Sequence, residues 1–176
     1  MAVLIEGISV VIRADAILNK FQGGWDGFVN IVPNETLCAD GEIARVGFMT
    51  PHDVESFVKG LQSIGLEFLR DGEAIDIAVA DQLRGITSTC SWLEFGHTDM
   101  DNNGHRIAAC RMTGSEVMEI VTPPEWKFEN SLSATFGLVP DGQVEKSMKF
   151  LRHEGGMDVY LNLLTGKDVF VGRTGE

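Results

Sequence analysis

Between Ile43 and Ala80 the apolar positions change period twice, and the change reads as strand, helix, strand. Ile43-Ala44-Arg45-Val46-Gly47-Phe48-Met49 is a β-rich apolar run. Thr50-Pro51-His52-Asp53 then starts a helix, with threonine as N-cap, proline at the first helical position and an acid at the third. Val54, Phe57, Val58, Leu61 and Ile64 form one apolar stripe, while Glu55, Ser56, Lys59 and Gln62 lie opposite. Gly65 stands where a left-handed C-terminal cap belongs. After a turn at Asp71-Gly72, Ala74 to Ala80 reads as a mostly buried strand.

The same patterning predicts a strand over Val3 to Arg13, then a short helix with Ala14, Ile17, Leu18 and Phe21 at helical spacing, ending at Gly23-Gly24. Phe28 to Val32 reads as a strand stopped by Pro33-Asn34. Asp40-Gly41 is a hairpin turn between Thr36–Ala39 and the Ile43 strand. Residues 3–80 therefore read β-α-β-β-α-β, the order of a ferredoxin-like half.

Beyond the connector Leu83 to Thr89 the pattern shifts toward strands. Ser91–Thr98 and Arg106–Met112 flank Asp101-Asn102-Asn103-Gly104, a second hairpin signal. Val117–Val121 and Leu132–Val139 read as strands, with Thr122 to Trp126 an extended, proline-held connector. Val144, Met148 and Leu151 predict a helix over 142–152, its wet face carrying Lys146, Lys149 and Arg152 and His153 at its end. Met157–Leu164 and Val169–Gly172 close with a hairpin around Thr165-Gly166-Lys167. The expected fold is α+β: a ferredoxin-like βαββαβ half over 1–82, then an antiparallel, strand-rich half over 87–176 with one helix. The connector between them is short and carries apolar Leu83 and Ile86, so the expectation is one compact domain over 1–176. Residues 43–112 would also fit a βαβββ module of the vicinal-oxygen-chelate type, although its carboxylate and histidine ligands are not evident on these strands.

Charge narrows the function classes. The chain carries 26 acids against 14 Lys and Arg, a formal net charge of −12. The surplus is spread: 13 acids against 6 Lys and Arg in residues 1–86, and 13 against 8 in residues 87–176. A phosphate backbone would be repelled, so nucleic acid is not an expected partner, whereas a basic protein is. No apolar run approaches the roughly 20 residues of a membrane helix, and Glu6, Gly7 and Ser9 interrupt the N-terminal run as they would not in a signal peptide. Cys38, Cys90 and Cys110 are odd in number and far apart, which fits reduced thiols in a cytosolic protein.

Candidate chemistry concentrates in the 91–112 hairpin. An Asn103-Gly104 turn puts His97 opposite Cys110 with Asp99 on the same face, a set able to hold a metal or activate a nucleophile. A zinc site wants a further ligand, and Phe95 and Met112 on that face speak for packing instead. Asp99-x-Asp101-x-Asn103-Gly104 resembles the start of a calcium loop, but position twelve is Cys110 rather than an acid. Gly23-Gly24-Trp25-Asp26 lacks the lysine of a phosphate cradle, so Trp25 and Asp26 are candidates for contact with a partner. No nucleophile-elbow, zincin, Walker or dinucleotide string is present, and no metal or cofactor is expected. The resulting reading is an acidic binding protein without its own catalysis, such as an inhibitor or immunity-type protein shielding a basic partner. A small enzyme or ligand-binding protein with a pocket between the halves, using His97, Asp99 and Cys110, is the alternative.

Overall fold

The apolar run that opens the chain makes two strands in two different sheets. In the computed structural model, which describes residues 1–100, 105–116 and 119–136 and the backbone of 148–154, 157–162 and 168–172, β1 spans Ala2–Ile5 and β2 spans Ile8–Arg13. The break is at Glu6-Gly7. Gly7 has φ +57°, and a Cβ there would lie 2.2 Å from the carbonyl oxygen of Phe48, so only glycine lets the chain cross over.

Helix α1 covers Ala14–Lys20 and α2 covers Gly24–Ile31. The strand expected over Phe28 to Val32 is therefore helical almost throughout. The first helix stops at Lys20 rather than at Gly23-Gly24, and Gly23, at φ +84°, is instead the N-cap of α2. Phe28 is fully buried and meets Phe21 edge-on at 6.0 Å, and the backbone at Gly27 lies so near Gln22 that a Cβ would clash. Tertiary contact decides a short apolar run that either structure could accommodate.

Strands β3 (Cys38–Ala39) and β4 (Ile43–Phe48) form the hairpin expected at Asp40-Gly41. Helix α3, Pro51–Ile64, begins as its sequence dictates: Thr50 Oγ1 accepts the Asp53 N–H at 3.2 Å, and Gly65 closes the helix at φ +117°. Val54, Phe57, Val58 and Leu61 are its buried stripe. A small hairpin of β5 (Leu69–Arg70) and β6 (Glu73–Ala74) leads into β7 (Ile77–Asp81) and β8 (Gly85–Ile86).

Strands β9 (Leu93–Met100) and β10 (His105–Met112) pair along their whole length, and β11 is Ile120–Val121. A 3₁₀ turn at Phe128–Asn130 precedes α4, Leu132–Phe136, where the pattern predicts a strand. Ser131 explains the difference, since its Oγ accepts the Ala134 N–H at 3.3 Å as an N-cap does. The helix expected over 142–152 is also corrected. Residues 148–154 are strand β12, paired with β13 (Met157–Asn162), which pairs in turn with β14 (Asp168–Gly172). Pairing with a neighbouring strand overrides the helical spacing of Met148 and Leu151. Residues 142–147, like the turns around 101–104 and 163–167, lie outside the described residues.

The molecule is mixed α/β with several sheets. One has five strands in the order β3-β4-β2-β7-β8, every neighbouring pair antiparallel. A second has four, β11-β1-β10-β9, and the chain's first strand thereby belongs with the hairpin of its second half. Alternation in the five-stranded sheet sorts its side chains to two faces. Val10, Ile12, Val46 and Ile77 form one core with Ile17, Phe28, Phe57 and Leu61 of the three helices. Val11, Ile43, Ala78 and Ala80 form another with Val3, Ile5, Ala108 and Cys110 of the four-stranded sheet. Helices, five strands and four strands make three successive layers. A βαβββ module over 43–112 is not formed, because β2 lies between β4 and β7 while β9 and β10 belong to the other sheet.

Candidate functional site

The β9–β10 register places His97 opposite Ala108 and Phe95 opposite Cys110. It differs by two residues from an Asn103-Gly104 turn, whose residues are not described. A two-residue shift preserves the faces, so His97, Asp99 and Cys110 keep one side of the hairpin while the expected His97–Cys110 pair is lost. Asp99 is placed by its backbone, opposite Arg106.

His97 is exposed, its ring edge-on to Phe95 at 4.9 Å, and its Nε2 lies 2.7 Å from the carbonyl oxygen of Gln82. A carbonyl only accepts, so Nε2 is the donor in this contact. Cys110 is buried between the sheets, and burial followed by the neighbouring Cys90 pushes its thiol far up. Burial likewise raises Cys90, against the lowering effect of the Trp92 and Leu93 N–H groups. These are poor conditions for a thiolate nucleophile. Among the described residues no three His, Cys, Asp or Glu side chains converge to hold a metal ion.

Trp25 and Asp26 stand in the first turn of α2. The Trp25 ring leans on Phe28 at 5.5 Å and is half-buried against the helical core, while Asp26 faces water.

Among the described residues the most elaborate polar cluster lies instead where β1 passes into β2, at residues that belong to no motif. Glu6 and Arg45 are both fully buried, with Arg45 Nη2 3.3 Å from Glu6 Oε1. The other carboxylate oxygen, Oε2, accepts from Trp126 Nε1 at 3.0 Å and from the Ser133 N–H and Oγ–H at 3.1 Å each. Arg45 Nη2 also reaches Cys38 Sγ at 3.3 Å, and burial raises that thiol more than the guanidinium lowers it. Gln82 extends the network: its Oε1 accepts the Gly7 N–H at 2.9 Å and its Nε2 donates to the Ser133 carbonyl at 2.8 Å. A signal existed, since Glu6 and Arg45 each interrupt an apolar run of the sequence with a charge, which when buried needs a partner. Sequence alone does not say that they are each other's. The cluster's chemistry is structural: one carboxylate fastens Trp126 and the start of α4 to the β1–β2 junction.

Two concavities flank this frame. A furrow of about 260 Å³ crosses the outer face of the four-stranded sheet over Ala2, Gly96, Thr98 and Ala109, with Glu94 and Arg111 at its rim. A groove of about 390 Å³ runs along α3 between Val54 and Val58 and the β7–β8 edge.

Compared with protein-family models, curated proteins and solved structures, this chain matches none.

The surface charge is organised as well as abundant. Arg13, Lys20, Lys59, Arg70 and Arg111 each pair with an acid: Asp15, Asp76, Glu55, Glu67 and Glu94. Asp26, Asp71, Glu116, Glu119, Glu125 and Glu129 face water with no ion-pair partner among the described residues. Glu42 joins Glu116 and Glu119: its carboxylate accepts from Ser115 Oγ, and the backbone at 116 and 119 holds Met1 and Ala2 at 2.7 and 3.0 Å.

Proposed function

We propose that this protein is an acidic binding protein that docks on a basic partner, in the manner of an inhibitor or immunity-type protein, without catalysis of its own. The observation that carries the reading is the pairing of the cations. Five exposed or half-exposed basic side chains are each paired with an acid, while the exposed Glu42, Glu116 and Glu119 belong to segments that meet at the start of β1. With these five cations paired locally and 26 acids against 14 Lys and Arg in the chain, the net charge of −12 favours a positive partner over a negative one.

Two finer readings accompany it. The order β3-β4-β2-β7, with helices between β2 and β3 and between β4 and β7, supports a ferredoxin-like arrangement of the N-terminal half, extended by β8. The free thiols, two of them buried, support a reducing compartment such as the cytoplasm.

The test is affinity capture from the native cell at low salt, followed by a 1 M salt wash. A basic protein retained at low salt and released by the wash supports the reading, because screening shortens the reach of exposed charges to about 3 Å at 1 M. Capture of nothing, or of a partner indifferent to salt, contradicts it.

A further inference from the structure

We draw no further inference here: the strongest candidate, the groove of about 390 Å³ between α3 and the β7–β8 edge, has a floor of Ile8, Val54, Val58 and Val79 and a rim on which Glu55 pairs with Lys59, and nothing in the structure shows what covers it.

Discussion

Glu6 and Arg45 stand 39 residues apart in the chain and meet at 3.3 Å between two sheets, with neither side chain exposed. Burying two charges costs several kcal/mol each, and only mutual attraction with further hydrogen bonds offsets it. Removing one partner is therefore worse than removing both. Arg45→Met should cost about 3–5 kcal/mol by stranding the carboxylate. Glu6→Gln combined with Arg45→Met should be more stable than Arg45→Met alone. Denaturant unfolding of the cycle checks this, and strict additivity of the two changes would refute the coupling.

The same carboxylate holds the Trp126 segment. Trp126→Phe removes a donor to a charged acceptor and should cost about 1.5–3 kcal/mol. The loss should be local: amide exchange should quicken across 128–136 while α3 stays protected. Uniform quickening in both regions would mean that the indole supports the whole fold instead.

Two glycines with positive φ separate strain from contact. Gly41, at φ +94°, has open space around its missing Cβ, so Gly41→Ala should cost about 1–2 kcal/mol of backbone strain alone. At Gly7 the Cβ would also strike the Phe48 carbonyl, so Gly7→Ala should cost distinctly more. Thermal unfolding of the two variants ranks them, and equal shifts would show that the crossing at Glu6-Gly7 relaxes freely.

Buried thiols give the stability a pH dependence. Burial raises Cys38 and Cys110 above the ordinary thiol value of 9.0, so the folded chain holds these protons more tightly than the unfolded one. The stabilisation is complete below that value and is lost as pH rises through it toward the raised folded values. Unfolding free energy should therefore be unaffected by these thiols at pH 7 and fall as pH rises beyond about 9, less steeply in Cys110→Ala than in the natural chain. Parallel falls would assign the dependence to other groups.

What the sequence makes legible is local. Thr50-Pro51 and Gly65 bracket α3 because caps and turns act within a few residues. Asp40-Gly41 makes its hairpin for the same reason. Where the deciding contact is distant, the pattern misleads. The 28–32 run becomes helix because Phe28 packs on Phe21, and 148–154 becomes strand because it pairs with 157–162. The hairpin of the candidate site is legible in its faces, since those depend on a period of two, but not in its register, which its loop sets. The charges at Glu6 and Arg45 advertise that they need partners, and only the stacking of two sheets identifies them.

Capture with two baits, the natural chain and its Glu116→Lys/Glu119→Lys variant, asks whether exposed acids hold a basic partner. Both glutamates are exposed, so the variant should fold as the natural chain does by circular dichroism. A basic protein should be retained by the natural bait at low salt and lost from the variant, in which two exposed acids near the start of β1 are reversed. Equal recovery on both baits, or recovery of a partner that is not basic, would contradict it.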